Sequence, residues 1–466
     1  MVRSSVAAMD LHSRAACQGI VPPFLLQHLL ASGDADLAEH ARRTLLRDSV
    51  LRARPERPAP AAAAAAAKVL RRTIHDAHHG TTLPGTEVRA EGAPASADEA
   101  VNQAYDGLGE TWRLYDEVFG RNSIDDHGLP LVASVHYERN YDNAFWNGSQ
   151  MVFGDGDGTI FVGFTSSLDV IGHELTHGVT ESTAGLTYQG QSGALNESIS
   201  DVFGSLVKQR ALGQTAAEAD WLIGAGLLAP GVKGVALRSM KAPGTAYDDP
   251  RLGKDPQPAD MSGYVETTDD NGGVHTNSGV PNRAFQLAAV AIGGHAWEAA
   301  GQIWYDVLTG PSIRPDCDFA TFAGLTVAAA TSRFGNDSPE AAAVADAWKT
   351  VGVAPSVVEE RAPASLETSG GTSTNGADDL TVRRTGGFGG LVRERTLRLT
   401  ELPDDDAAHW RSLLSGDRLA RLADAPTHPD AYCYGVRCEA ARLDVTIPEP
   451  ALEPEVRDLF DRTLTR

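Results

Sequence analysis

The stretch VIGHELTHGVTESTA, residues 170–184, carries two histidines four positions apart, with a glutamate directly after the first. On a helix, positions i and i+4 lie on one face, so His173 and His177 can bind one zinc ion with little rearrangement. Glu174 is then placed to reach a water at the metal rather than the metal itself. Because this pattern also arises by chance in a long chain, it needs the support of a third ligand.

A second stretch, GALNESISD at residues 193–201, supplies a candidate for that ligand. Glu197 and Asp201 are again four positions apart, so Glu197 can complete a His-His-Glu site while Asp201 accepts a hydrogen bond from a ligating histidine. A carboxylate pair on an amphipathic helix is more often a solvated face. Here apolar neighbours predict burial, and buried carboxylates need partners. These neighbours are Leu195, Ile199, Val202 and Phe203.

The bulk composition sets broad limits on what the protein does. The 466 residues suffice for two or three domains, and the net charge of −22 argues against a general nucleic-acid binder. The N-terminus lacks the continuous apolar run of a secretory signal, and no segment has the length and apolarity of a membrane span. We therefore expect a cytoplasmic protein, or one secreted by a non-standard route.

Composition shifts divide the chain into five segments. Residues 1–51 form a short helical unit with a break at Gly33, and 52–68 form a Pro- and Ala-rich linker. Residues 69–353 are β-rich first and helical afterwards, which predicts an α+β fold. Residues 354–379 form a flexible linker, and 380–466 form a small α+β domain with a hairpin, a helix around Trp410 and a strand at ARLDVTIPE. In that domain, Cys433 and Cys438 either pair locally or remain thiols.

Several motifs in one order, over roughly residues 70–353, resemble the thermolysin-like zinc metallopeptidases. They are HELTH, GALNESISD, YDNAFWNGSQMVFGDGDG, LRSM and DNGGVHTNSG. Thermolysin is itself the standard example of a His₂Glu zinc site. The resemblance implies a two-lobed domain with a zinc cleft between a β-rich and a helical lobe. It also implies an endopeptidase, in which Glu174 is the general base for a zinc-bound water that attacks the peptide bond.

The resemblance also assigns roles to other side chains. Tyr188 and His275 match the donors to the oxyanion, and Asp270 matches the residue that orients His275. Taken alone, a residue like Tyr188 is more often a core aromatic, and one like His275 is more often a satisfied turn residue. Asn143 and the Ala144 backbone resemble the groups that hold the substrate main chain.

Substrate preference follows from a further set of matches. Arg238 resembles the residue that binds the carbonyl after the scissile bond. A pocket for a bulky apolar residue after the cut is implied, although core packing explains its members equally well. The matching positions are Phe161, Phe164, Val170, Ile223 and Leu237.

The chain departs from the best-known members at their double calcium site. Asp169 and Asp220 match two ligands, but Lys208 stands where a glutamate would bind the ion. Because Lys208 places a positive charge there, we expect no double calcium site. The GDGDG segment at 154–158 is interpreted as a turn.

The leader resembles that of the protealysin-like subgroup, whose short propeptide carries a Pro-Pro-Leu-type motif that blocks the cleft. Pro22, Pro23 and Leu25 match this motif, so we expect a latent precursor. Prolines lack the N–H that a productive strand needs, and a rigid segment loses little entropy on docking. Cys17 lies nearby and is interpreted as an ordinary cysteine in preference to a zinc-blocking thiolate.

Residues 380–466 resemble emfourin, a small protein inhibitor associated with protealysin-like enzymes. A tethered inhibitor would act at high effective concentration, and the alternative is a targeting or substrate-binding module. The expected partners are thus peptide substrates, with the propeptide and C-terminal domain at the cleft, and neither nucleic acid nor membrane. The competing hypothesis is a catalytically silent regulatory or binding protein on a protease scaffold.

Overall fold

A computed structural model of the protein describes residues 19–52, 68–356, 379–386, 393–399, 402–414, 418–423, 432–438, 443–452 and 454–465. The described residues up to 356 form one compact unit, and those from 379 on form a second. The predicted linkers at 52–68 and 354–379 lie almost entirely outside the described ranges, as does Cys17.

The first unit opens with the two helices that the leader sequence predicts. Helix α1 spans Pro23–Ala31 and helix α2 spans Ala35–Arg52. Gly33 lies between them with a φ of 82°, a left-handed conformation that favours glycine. Leu25, Leu26 and Leu29 are buried, so α1 packs its apolar face onto the rest of the unit.

The β-rich lobe is a five-stranded mixed sheet in the order β2-β1-β3-β5-β4. Its strands are β1 (Arg72–Asp76), β2 (Thr86–Ala90), β3 (Leu131–Val135), β4 (Ala144–Trp146) and β5 (Met151–Phe153). Strand β4 therefore forms one edge of the sheet, where backbone groups can accept a further strand. Helix α3 (Glu99–Arg113) packs on this sheet and was not predicted from the sequence, although Asp98 caps its N-terminus and its apolar face is periodic.

The helical lobe confirms the predicted change from strands to helices, and with it the α+β class. It contains α4 (Leu168–Glu181), α5 (Gly190–Leu212), α6 (Asp270–Asn277), α7 (Gly279–Ile292), α8 (Ala300–Thr309), α9 (Phe319–Phe334) and α10 (Pro339–Thr350). Two short strand pairs join β6 (Leu222–Ile223) to β7 (Arg238–Ser239) and β8 (Asp248–Asp249) to β9 (Gly253–Lys254).

Close contact between α4 and α5 depends on two glycines. A Cβ on Gly204 would overlap the carbonyl oxygen of Asp169 and lie 2.9 Å from the backbone nitrogen of His173. A Cβ on Gly172 would lie 3.0 Å from the Cα of Gly204. The absence of side chains at both positions lets the two backbones approach, which brings the metal-ligand candidates of the two helices together.

Within the described ranges, the second unit contains an antiparallel sheet in the order β11-β10-β12-β13 and three α-helices. The strands are β10 (Asp379–Gly386), β11 (Arg393–Arg398), β12 (Tyr432–Cys438) and β13 (Leu443–Pro448), and the helices are α11 (Asp404–Leu414), α12 (Arg418–Ala423) and α13 (Pro454–Thr465). The predicted hairpin, the Trp410 helix and the last strand are confirmed, although the helical segment divides into α11 and α12. Trp410 is fully buried in this unit's own core and donates to Thr463 Oγ1 over 2.9 Å.

The two neighbouring cysteines of this unit lie at opposite ends of β12. Five residues of strand span about 16 Å, whereas a disulfide requires Cα atoms less than about 7 Å apart. Strand geometry therefore excludes the local pair, and Cys438 is a buried free thiol.

Among the helices within the described ranges, none has both the length and the apolarity needed to cross a membrane.

The glycine contact between α4 and α5 generates a first prediction. Gly204→Ala should lower the free energy of unfolding by about 2 kcal/mol or more, because the added methyl must push the helices apart. Zinc content should fall with it, since the ligands lie on the two helices. Gly163→Ala is the matched control, because its Cβ would meet nothing closer than 3.9 Å and its φ is −55°. Equal stability and zinc content in the two variants would contradict this account of the helix contact.

Candidate active site

The two histidines of α4 and the glutamate of α5 converge on one buried point. His173 Nε2 and His177 Nε2 lie 3.1 Å apart, and Glu197 oxygens lie 3.5 and 3.6 Å from them. Among the described residues, these three side chains form the cluster that could hold a metal ion. Ligands at zinc's usual bond lengths in a tetrahedron are about 3.4 Å apart, so the spacing fits zinc.

Hydrogen bonds fix which nitrogen of each histidine faces this point. His173 Nδ1 lies 2.8 Å from an Asp201 carboxylate oxygen, and His177 Nδ1 lies 2.8 Å from Asn196 Oδ1. Both oxygens are acceptors, so each Nδ1 carries a proton and each Nε2 is the nitrogen that faces the other histidine. Burial lowers the pKa of His177 to about 4, which keeps the ring neutral, as a ligand requires. Two ring nitrogens that face one buried point fit a bound cation.

The ionisation of Glu197 suits the same site. Burial alone would raise its pKa, but His275, His177 and His173 outweigh burial and lower the pKa to about 2. Its Oε2 has no hydrogen-bond partner within the described part of the chain. A charged, buried carboxylate with an unpartnered oxygen is the donor that a zinc ion would satisfy.

Glu174 lies beside the cluster without joining it. Its Oε2 accepts a hydrogen bond from the Trp146 backbone nitrogen at 3.0 Å, while Oε1 is buried with no partner among the described residues. Burial, and next the charge of Glu197, raise the pKa of Glu174 well above its usual range. The neighbouring carboxylates Glu174 and Glu197 thus have opposite proton affinities, a common arrangement where one group must take up a proton.

Asp201 joins the metal cluster to an arginine. Arg238 Nε and Nη2 bind its two oxygens, each over 2.8 Å, while His173 binds it from the other side. Burial by itself would raise the pKa of Asp201, but Arg238 and His173 hold the pKa well below its ordinary value. Asp201 is therefore a fixed anion that sets the orientations of both His173 and Arg238.

Tyr188 and His275 lie next to the metal cluster. The Tyr188 hydroxyl lies 3.3 Å from His275 Nε2 and donates to Glu197. Burial raises the pKa of Tyr188 well above its usual range, so the phenol keeps its proton. Burial would lower the pKa of His275, but Asp270 and Glu197 outweigh it and raise that pKa. Both side chains can therefore donate hydrogen bonds.

An unusual turn places Asp270 against His275. The four residues from Asp270 to Gly273 all have positive φ, from 50° to 82°, before α6 becomes helical. In this turn the Asp270 carboxylate accepts from the His275 backbone nitrogen at 3.0 Å and from Nδ1 at 2.8 Å. Asp270 therefore fixes the ring so that Nε2 faces the metal cluster.

The leader lies across the groups predicted to bind substrate. Gly19 forms an antiparallel bridge with Phe145 of the edge strand β4. The Ile20 backbone nitrogen donates to the Ala144 carbonyl at 3.1 Å. The Val21 nitrogen donates to Asn143 Oδ1 at 2.9 Å. Arg238 Nη1 donates to the Ile20 carbonyl at 3.1 Å. The leader backbone thus stands where a peptide strand added to β4 would lie.

The residues that make these contacts differ from the predicted motif by a few positions. Pro22 is the N-cap of α1 and Pro23 is its first residue, while Leu25 is buried within the helix. The extended part is Gly19–Val21, directly before the prolines, because a strand needs N–H donors and proline has none. A Cβ on Gly19 would overlap the Asn143 side chain, so residue 19 must be glycine in this arrangement.

Helix α2 holds the same loop from outside the cleft. Asp48 accepts from Tyr141 Oη at 2.5 Å and from Asn143 Nδ2 at 3.1 Å. Thr44 Oγ1 accepts from the Asp142 backbone nitrogen at 3.3 Å. Because Asp48 takes the amide nitrogen of Asn143, the amide oxygen is directed toward Val21. The leader therefore contacts the cleft loop at two separate places.

The predicted apolar pocket residues, like Ile20, are part of the large hydrophobic core of the first unit. Each is at most 2% exposed. Their role in specificity stays a prediction. They are Phe161, Phe164, Val170, Ile223 and Leu237.

Comparison with known proteins agrees with this geometry. Residues 65–181 match the thermolysin metallopeptidase catalytic domain, and 184–353 match its alpha-helical domain. An extracellular metalloprotease of Pectobacterium carotovorum is 54% identical over 344 residues, covering 74% of this chain and 98% of the relative. The chain belongs to the thermolysin family of metallopeptidases. It is accordingly a zinc-dependent metalloendopeptidase, and its substrates are peptides.

Two further comparisons refine the assignment. The solved precursor of protealysin, a metalloproteinase from Serratia proteamaculans, is 55% identical, with a TM-score of 0.67, and matches 72% of this chain and all of that one. Residues 382–464 match emfourin. The thermolysin-family assignment, the likeness to the protealysin-like subgroup and the emfourin-like domain are thus confirmed.

The expected cellular location is wrong. The Pectobacterium relative is named an extracellular metalloprotease. A second relative, from Serratia marcescens, is named an extracellular minor metalloprotease. It is 45% identical to this chain over 284 residues, which cover 60% of this chain and 79% of the relative. These names contradict the expectation of a cytoplasmic location. That expectation depended on the absence of a continuous apolar run in the N-terminal residues, which carries too little information to predict where a protein is located.

Lys208 contacts both of the aspartates, Asp169 and Asp220, that match calcium ligands in the best-known family members. Its Nζ lies 2.8 Å from Asp169 Oδ2, 3.0 Å from Asp220 Oδ1 and 2.7 Å from the Leu222 carbonyl oxygen. Burial would lower the pKa of Lys208, but Asp169 and Asp220 outweigh it and raise that pKa. The ammonium is therefore a permanent cation among these oxygens.

Sequence reasoning missed several groups that contact the site. Asn196, which holds His177, directly precedes Glu197 and was readable as its neighbour on the helix. Gly19 and Asp48 carried no local signal, because their roles depend on contacts more than 90 residues away along the chain. Asn282 donates to Asp201 at 2.8 Å from α7 and was hidden in an apolar helical segment.

Proposed function

We propose that this chain is a latent endopeptidase with one catalytic zinc ion, held by His173, His177 and Glu197. The observation that carries the proposal is the buried convergence of these three ligands, with Glu174 beside them. Zinc, when bound, supplies a Lewis acid that acidifies water and polarises the peptide carbonyl. Asp201 fixes His173, and Asn196 fixes His177, in the tautomers that ligation needs.

The remaining steps belong to side chains. Glu174 takes a proton from the attacking water as the oxygen–carbon bond forms, and gives it to the amine nitrogen as the carbon–nitrogen bond breaks. Tyr188 Oη and His275 Nε2 donate to the oxygen that gains negative charge. Asp270 keeps His275 oriented for this role. A catalytically silent protein, the competing hypothesis, would be favoured by the loss of one of these catalytic side chains. All of them are present in the sequence.

The leader contacts supply the proposal for substrate binding. A substrate strand would donate to the Ala144 carbonyl and Asn143 Oδ1, and it would accept from Arg238, as residues 20 and 21 do. The residue after the cut would then occupy the place of Ile20, which is fully buried in the hydrophobic core that also contains the five predicted pocket residues. Burial of a large apolar side chain there would favour bulky residues at that position.

The same contacts support latency. While Gly19–Val21 pairs beside β4, a substrate cannot form that pairing, so the leader must leave before peptides bind. The match to a protealysin precursor supports this proposal. Removal of the leader would also free Asn143 from Asp48.

The C-terminal domain is proposed to inhibit the protease, because residues 382–464 match emfourin. Secretion is proposed because relatives of this chain are named extracellular metalloproteases.

We also propose that the double calcium site is absent. Lys208 already contacts Asp169, Asp220 and the Leu222 carbonyl, and its positive charge would repel a dication.

Replacing the general base tests the enzymatic proposal. After removal of residues 1–70, Glu174→Ala should lose between about 100-fold and 10,000-fold of casein hydrolysis, because no group replaces the carboxylate. It should keep one zinc per chain, measured by metal analysis. Glu181→Ala, on the same helix but outside the metal cluster, is the matched control. A wild type that holds no zinc, or that hydrolyses nothing once the leader is removed, would end the enzyme proposal.

Filling the space at Gly19 tests latency. Gly19→Val should raise the activity of the uncleaved precursor on a small peptide several-fold, because its side chain would displace the leader from Asn143. Mass spectrometry must show that the assayed chain is intact. Leu46→Ser, at an exposed leader position, should leave activity unchanged. If Gly19→Val stays as inactive as the wild-type precursor, the cleft contact is not what blocks the enzyme.

Deleting residues 355–466 tests the inhibitory role of the C-terminal domain. The truncated chain, with its leader removed, should hydrolyse casein faster than the full-length chain treated identically, because a tethered inhibitor is lost. Adding the separately produced domain should lower the rate again. Unchanged or lower activity on deletion would instead favour a targeting or substrate-binding module.

A further inference from the structure

Asn282 lies in the first turn of α7, remote in sequence from every metal-ligand candidate. It is fully buried, and its Nδ2 lies 2.8 Å from Asp201 Oδ2. The ionised carboxylate only accepts hydrogen bonds, so the amide nitrogen must be the atom that faces it. Within the described ranges, Asn282 Oδ1 is buried without a hydrogen-bond partner. The amide therefore directs its one side-chain hydrogen bond at Asp201.

This bond completes the set of donors around the Asp201 carboxylate. His173 Nδ1 and Arg238 Nη2 bind Oδ1, while Arg238 Nε and Asn282 Nδ2 bind Oδ2, all over 2.8 Å. Each oxygen thus receives two donors, one from Arg238 and one from another element. His173 comes from α4, Arg238 from β7 and Asn282 from α7. The carboxylate is held from three directions and cannot turn without breaking a bond.

We propose that Asn282 is a positioning residue for the zinc ligand His173, acting through Asp201. Loss of its amide would free one side of Oδ2 and let the carboxylate rotate away from the histidine. His173 would then lose the acceptor that fixes its tautomer and ring orientation. Groups that orient a ligating histidine typically change metal affinity by about 10-fold to 100-fold. The proposal rests on the zinc centre proposed above.

A purely structural role for Asn282 is the alternative. A buried asparagine that serves packing normally satisfies both ends of its amide, since an unpartnered buried polar atom is unfavourable. Asn282 satisfies only the end that faces Asp201. The amide is therefore better explained by its contact with Asp201 than by the stability of the helix.

The chain offers a closely matched control in Gln209 of α5. It is also fully buried, donates one side-chain hydrogen bond, over 2.9 Å to Ser205, and leaves Oε1 without a partner within the described residues. Asn282→Leu and Gln209→Met thus remove the same kind of group from two helices of one unit. Only the first removes a contact to Asp201.

The test measures zinc affinity in the full-length chain, by competition with a chelator of known affinity at one fixed pH. Asn282→Leu should weaken zinc binding by about 10-fold or more, whereas Gln209→Met should stay near the wild type. Thermal unfolding of the zinc-free proteins should show similar losses for the two variants. If Asn282→Leu does not fold, Asn282→Ser, which is smaller and too short to make the contact, should show the same weakening.

Two results would overturn the proposal: wild-type zinc affinity in the folded Asn282 variant, or an equal loss of affinity in Gln209→Met. Casein hydrolysis by the leader-free wild type is measured in parallel. A wild type that binds zinc normally but hydrolyses nothing would contradict the proposed enzyme while leaving the affinity comparison valid. The two failures are therefore distinguishable.

Discussion

The structure depends on a buried point at which two imidazole nitrogens and a carboxylate face one another. His173 Nε2 and His177 Nε2 are only 3.1 Å apart, a spacing that suits two nitrogen ligands of one zinc ion. The fold sets this spacing, since Gly172 and Gly204 let α4 and α5 approach closely.

The leader occupies the groups that we propose for substrate binding. Its extended residues at 19–21 contact the Ala144 carbonyl, the Asn143 amide and the Arg238 guanidinium. The leader is also held outside this short extended segment, because Asp48 and Thr44 of α2 contact the loop before β4. The proposed latency would therefore depend on the packing of the leader helices as well as on residues 19–21.

The parts of the site that the sequence predicts are those encoded by local spacing. His173 and His177, and then Glu197 and Asp201, repeat at four positions, so a helix alone puts each pair on one face. Tyr188, His275 and Asp270 could not be placed by spacing, and only a family resemblance pointed to them. The division into a β-rich and a helical lobe was likewise readable from periodicity, whereas α3 was missed in a polar segment whose apolar face is regular but narrow.

What the sequence could not predict are contacts that tertiary packing creates between distant segments. Gly19 looks like any turn glycine until Asn143 stands beside its Cα. Pro22 and Pro23 match a motif expected to block the cleft, but they lie at the start of helix α1, and the extended segment lies just before them. Cys433 and Cys438 are close enough in sequence for a disulfide, but they lie five residues apart on one extended strand. In each case the outcome depends on where the folded backbone places the residue, which the local sequence does not specify.

The side chains around the metal cluster share one kind of support. Three histidines are each held by a carboxylate or amide on the side away from the cluster: Asp201 for His173, Asn196 for His177 and Asp270 for His275. Asp201 and Asn196 both lie on α5, whereas Asp270 lies at the start of α6. A movement of α5 would therefore disturb both histidines of α4. In the proposed mechanism, such preorganisation means that little reorientation is needed when charge develops during the reaction.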